Sequence, residues 1–205
     1  NEMIARNYSV GEVDSVTGPI IGRPKSATFR TLDVVGLDTF AHVAKNVYDH
    51  ATGEEKEVFD ESPILKKMIA NGWLGAKSGQ GFFKKEGKAI LELNLSTFEY
   101  EPVKKLAAPS LEMAKQARGP GGKLKTLIYA QDRVGELLWN SFAPTLLYSA
   151  QLTGEIADDI LAIDNAMKWG FGWAQGPFEM WDAIGVEKSV AKMKEEGREI
   201  PAFVT

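Results

Sequence analysis

Apolar residues along this chain recur mostly at steps of three and four, the spacing of a helix with one buried face. Phe40, Val43, Ala44, Val47, Tyr48 and Ala51 line up this way behind Asp38 or Thr39 as the cap. In "ESPILKKMIANG", Ser62 reads as a cap and Pro63 as the first helical residue. Ile64, Leu65, Met68 and Ile69 point inward, and Gly72 is the stop. The pattern then changes: "GFFKKEGKAILELNL" predicts a small β-hairpin turning at Glu86-Gly87. Residues 100–123 hold prolines and glycine pairs around one short helix, Ser110–Arg118, and read as a linker. Residues 126–153 predict a long helix bent at Pro144.

Two stretches share one pattern, "IIGRPKSATFRTLDVVGLDTF" at residues 20–40 and "GFGWAQGPFEMWDAIGVE" at residues 170–187. A shift of 149 residues lays Phe29 on Phe178, Asp33 on Asp182 and Gly36 on Gly185, with Asp38 on Glu187. After a one-residue slip, Val13-Asp14 lies on Ile163-Asp164 and Gly22 on Gly172. This reads as an internal duplication with too few copies for a solenoid. Ser9 is the cap expected ahead of Val10 and Val13, and Asp158 or Asp159 the cap ahead of Ile160 and Ile163. A brief helix follows each Gly/Pro loop, burying Phe29, Leu32 and Val35 in one copy and Phe178, Trp181 and Ile184 in the other. Gly36 and Gly185 are expected to end these helices in the left-handed conformation. The expected architecture is mostly α: two related helical half-domains, residues 1–99 and 124–205, with the hairpin and the 100–123 linker between them.

Composition narrows the function. A net charge of −4 and a pI near 5.4 argue against nucleic acid or an anionic membrane as partner. The absence of cysteine excludes disulfides, thiol catalysis and cysteine-ligated zinc, and it agrees with a reducing, cytoplasmic setting. No apolar run reaches the roughly 20 residues that span a bilayer. A chain opening at Asn1 without a capping signal reads as a piece of something longer.

Candidate chemistry is sparse. His42 and His50 lie on the amphipathic helix, spaced unlike metal ligands, and His50 suits a helix C-terminus. The acids Asp33/Asp182 and Asp38/Glu187 offer general acid–base chemistry, yet their places beside helix ends and loops fit capping better. "GWLGAKSGQGFF" carries Lys77 and Ser78 but lacks the spacing of a phosphate loop. Arg23, Lys25 and Arg30 cluster around the first loop, where an anion can be met. No nucleophile, base and orienting group come together, so no catalytic residue and no metal ligand is assigned within the chain.

The two glycine-stopped copies, with "ILKKMIANGWLGAKSGQGFFKK" after the first, resemble the C-terminal domain of the 3-hydroxyacyl-CoA dehydrogenase family, duplicated as in multifunctional fatty acid β-oxidation enzymes. The resemblance implies a helical fold like the C-terminal domain of 6-phosphogluconate dehydrogenase. It also implies an acyl-CoA substrate, a homo-oligomer as one form of assembly, and NAD held by a Rossmann domain that also supplies the catalytic His–Glu pair. None of that Rossmann machinery is in this sequence, so the chain alone is expected to be inactive and to form the acyl side of the cleft and a dimer-like interface. In the second copy the family's active-site Asn, which precedes an Arg, falls on Asp132-Arg133, where Asp has no amide N–H to offer; the first copy's equivalent is expected upstream of residue 1. The resemblance further places Trp169 at an aromatic substrate contact, although a Trp ending a helix beside Gly170 and Gly172 also reads as core. The rivals are a non-catalytic helical scaffold or dimerisation module and the C-terminal domain of another 3-hydroxyacid dehydrogenase.

Overall fold

The structure, a computed structural model, describes residues 3, 6–52, 56, 59–60 and 62–204. Helices dominate, with one small antiparallel sheet. Contacts divide the chain into two units, residues 1–15 with 26–105 and residues 16–25 with 106–205.

In the first unit helix α1 spans Val10–Val16, its last residue belonging to the second unit. Ser9 caps it as expected: the Glu12 amide donates to Ser9 Oγ (3.2 Å) and the Ser9 amide to Glu12 Oε2 (3.0 Å), a reciprocal capping box. Helix α2 (Phe29–Val35) ends at Gly36, from which α3 (Leu37–His50) starts, and α4 (Pro63–Ala70) follows with Pro63 in its first turn. Gly36 has φ 97° and ψ 126°, so the stop is a positive-φ glycine but not the left-handed helical conformation expected. The hairpin is present as β1 (Phe83–Glu86) and β2 (Ala89–Leu93), turning through Gly87-Lys88. A third strand, β3 (Tyr100–Pro102), pairs with β2 inside the stretch expected to be linker. Its core is Val10, Leu37, Met68, Phe82 and Leu93, flanked by Phe29, Leu32, Ile64 and Trp73. Each such side chain contributes about 1.5–3 kcal/mol when fully buried.

Two expectations fail here. Val35 is 51% exposed, and on α3 Val43 is 55% exposed and Phe40 also reaches solvent. Only Leu37 of α3 is buried, while Ala44, Val47 and Tyr48 are half-buried, so the described residues cover the apolar stripe only in part.

The second unit holds α5 (Pro109–Gln116), α6 (Gly119–Ile128), α7 (Arg133–Leu152), α8 (Ile160–Phe171), α9 (Pro177–Ile184) and α10 (Val186–Glu195). The expected linker is therefore largely helical, because Pro109 and Pro120 sit in helical first turns, where a missing N–H costs nothing. The expected 126–153 helix is two helices. Asp132 breaks it by capping α7, accepting the Val134 and Gly135 amides at 3.1 Å each. Val134, Leu138, Phe142 and Leu146 form the buried stripe of α7, and Leu124 on α6, Met180, Trp181 and Ile184 on α9 and Met193 on α10 are buried as well. Asp159 caps α8 by accepting the Ala162 amide at 2.8 Å.

Candidate functional site

The titratable groups that a catalytic reading would use are engaged by backbone. In the first unit Asp14 reaches the N-terminus of α2, accepting the amides of Phe29 (2.7 Å), Arg30 (3.0 Å) and Thr28 (3.1 Å). Thr28, at the cap position itself, makes no side-chain cap bond, so Asp14 serves as a cap from 15 residues away. Asp33, from within α2, accepts the Phe82 and Phe83 amides at 2.8 Å each and so fixes the loop that enters β1. Burial raises the pKa of both carboxyls, and these amide bonds work against that rise. Glu92, fully buried on β2, accepts the Gly11 amide of α1 and the Lys104 amide (3.1 Å). Tyr100 donates its hydroxyl to the Gly81 carbonyl at 2.6 Å, and burial pushes its pKa up to about 12.

The second unit repeats the first of these devices. Asp164 is buried on α8 and accepts the Phe178 (2.8 Å) and Glu179 (3.0 Å) amides at the start of α9. Gly176 permits this approach, because a Cβ there would collide with Asp164. Glu179 closes the turn by accepting the Gly176 amide (2.9 Å), and Lys168 donates to it at 2.6 Å. Burial raises the Asp164 pKa, whereas the Lys168 bond holds that of Glu179 down. Asp132 accepts the Ser110 amide at 3.3 Å as well as the α7 amides; those bonds outweigh burial and lower its pKa.

The remaining candidates stand apart. Asp182 is exposed, unlike its sequence match Asp33. Asp38 does not cap α3, whose cap position is Gly36. It lies in the first turn and accepts from Lys77 at 2.6 Å. His42 and His50 are exposed, and His50 Nδ1 lies 2.7 Å from the Asn46 carbonyl in the last turn of α3. Arg30 stacks over Phe83 at 4.6 Å in the first unit, whereas Arg23 and Lys25 belong to the second. Among the described residues no group of three His, Cys, Asp or Glu side chains is placed to hold a metal. Trp169, in the last turn of α8, is 80% exposed, so the core-packing alternative for it fails. Phe171 and Leu161 on the same helix are also exposed.

Sequence reasoning aligned Asp14 with Asp164 without seeing that both are remote caps. Their recurrence ahead of two short helices was the available signal. Glu92 was missed altogether, and its signal was a lone acid between Leu91 and Leu93 in a strand.

Residues 1–85 match the family model "3-hydroxyacyl-CoA dehydrogenase, C-terminal domain". The chain is similar to members of the 3-hydroxyacyl-CoA dehydrogenase family. It is 62% identical, over 99% of its length, to a Bacillus subtilis protein named "Probable 3-hydroxyacyl-CoA dehydrogenase", of which it covers 26%. It is 23% identical over 88% of its length to a Rickettsia prowazekii protein whose name gives a fatty acid oxidation complex trifunctional enzyme, covering 24% of that protein. The chain thus spans about a quarter of the length of these relatives. Its fold is like that of a solved Escherichia coli 3-hydroxybutyryl-CoA dehydrogenase (TM-score 0.54, 16% identity), with all of this chain and 54% of the other aligned. No helix among the described residues is long and apolar enough to cross a membrane.

Proposed function

We propose that this chain is the C-terminal portion of an NAD-dependent 3-hydroxyacyl-CoA dehydrogenase of fatty acid β-oxidation, working in the cytoplasm. In this reading it forms the acyl side of the acyl-CoA cleft and a dimer-like interface, and has no dehydrogenase activity of its own. The observation that carries the reading is the 62% identity, across nearly the whole chain, to a dehydrogenase about four times as long. The described residues do not fit NAD. Their strands form one antiparallel meander, with no strand running through a glycine loop into a helix. The reading therefore assigns the dinucleotide, and the hydride chemistry it supplies, to another part of the parent protein.

An ancestral duplication belongs to the same proposal. It is supported by the matching remote caps of Asp14 and Asp164 and by the helix stops Gly36 (φ 97°) and Gly185 (φ 96°). Trp169 is the proposed substrate contact, its exposed indole offering an apolar face to an acyl chain or pantetheine arm and an N–H to a carbonyl. In the full-length parent, Trp169→Ala is expected to raise KM for acyl-CoA several-fold while NAD affinity stays the same. Unchanged acyl-CoA kinetics in an equally stable variant would remove Trp169 from the cleft.

A further inference from the structure

Arg23 has an unusual setting within the second unit. It follows the short 3₁₀ turn Pro19–Ile21, in a loop fastened where the Ala174 amide donates to the Gly22 carbonyl at 2.7 Å. Its guanidinium carbon lies 4.0 Å from the centre of the Trp173 ring and 4.8 Å from that of Phe142, which is buried. Nε is sealed from solvent and bonds to nothing, while the side chain as a whole is only half-buried, leaving the Nη groups open to solvent. Among the described residues, the ion pairs of this unit include Lys115 with Glu112, Lys168 with Glu179, and Lys192 and Arg198 with Glu196, none of which uses Arg23. Burial alone lowers the Arg23 pKa, to about 10, with no carboxylate to offset it, so the group remains a cation at neutral pH.

Two aromatic faces attract a guanidinium but give it no hydrogen-bond acceptor. A methionine or leucine would fill the same slot without the cost of desolvating a charge. Stacking also fixes the plane of the fork, and a fixed fork with open Nη groups suits the two oxygens of a carboxylate or phosphate. Lys25, exposed two residues along, adds a second positive charge. The exposed rings of Trp169 and Phe171 lead into the Gly172-Trp173 turn on which Arg23 stacks.

We propose that Arg23 anchors an oxyanion site in the second unit that takes a phosphate or carboxylate group of a small-molecule ligand. Thermal unfolding of the purified protein at constant ionic strength, with chloride replaced by pyrophosphate or by acetate, tests the assignment and separates the two sources. The expected result is a rise of about 3–6 °C at ~10 times the dissociation constant of the preferred anion. Arg23→Met and Arg23→Gln are expected to lose that rise, and Arg23→Met to unfold in chloride at or above the wild-type temperature. Either variant suffices if the other does not fold. No rise with either anion in the wild-type protein, or a rise undiminished in a folded variant, would overturn the assignment.

Discussion

Helices α2 and α9 begin and end alike yet are used differently. Each receives a remote carboxylate at its N-terminus, Asp14 or Asp164, and each stops at a glycine with φ near 97°. Along α9, Phe178, Trp181 and Ile184 are all buried, whereas along α2 Phe29 and Leu32 only lie against the core and Val35 faces solvent. The acids inside them differ too: Asp33 is buried and holds the entry to β1, while Asp182 is exposed. The ends of such a helix are set by local backbone needs, the same wherever the motif occurs. Its faces are set by neighbours, which differ between the units.

This contrast is open to breaking, most strongly in the core. Trp181 is buried and donates its indole N–H to Ser189 Oγ at 2.6 Å, so Trp181→Ala should cost about 3–5 kcal/mol in urea unfolding. Val35→Ala should stay within about 0.5 kcal/mol. An equal loss at both positions would mean that α2 is covered as α9 is.

The acids separate next. Asp33→Ala strands two backbone amides and should cost about 1–3 kcal/mol, while Asp182→Ala should be near neutral on the same measurement. The glycine stops should not separate. Gly36→Ala and Gly185→Ala each force a side chain into positive φ, at about 1–3 kcal/mol, and similar losses at both would support one shared device. A loss at only one of them would argue against it.

The smallest expected effect lies in pH dependence. A carboxyl whose folded pKa is raised, as for Asp14, Asp33 and Asp164, contributes stability below its unfolded value and loses it as pH climbs through the folded one. The wild-type advantage over Asp33→Asn should therefore shrink as pH rises from about 4 to about 7. Glu179, held down by Lys168, has the opposite sign. Its advantage over Glu179→Gln should grow as pH rises towards its ordinary value of 4.5. Urea midpoints taken across this range check both slopes.

Much of this organisation was legible in the sequence. Ser9, Asp159 and Pro63 act within a few residues of their partners, and local rules place them correctly. The hairpin was legible for the same reason, and the α9 face followed from its three-residue spacing. The rest depends on residues distant in the chain. Nothing near Val43 or Phe40 says whether a neighbour covers them, and nothing near Glu92 says that Gly11, 81 residues away, will donate to it. Residues 100–123 read as linker because prolines punctuate them, but a proline in a helical first turn punctuates without breaking. For the candidate site, the alignment of Asp14 with Asp164 was readable, whereas the capping expected of Asp38 fails, and the exposure of Trp169 and the stacking of Arg23 were not readable.

The buried carboxylates of this chain hold backbone in place, and the proposed function assigns oxidation of the substrate to another part of a longer protein. The direct measurement is NADH production, followed by absorbance, when the pure chain is mixed with NAD and 3-hydroxybutyryl-CoA. The account predicts a trace equal to the buffer blank. NADH formation above the blank that disappears in folded Asp33→Asn or Asp164→Asn would contradict it.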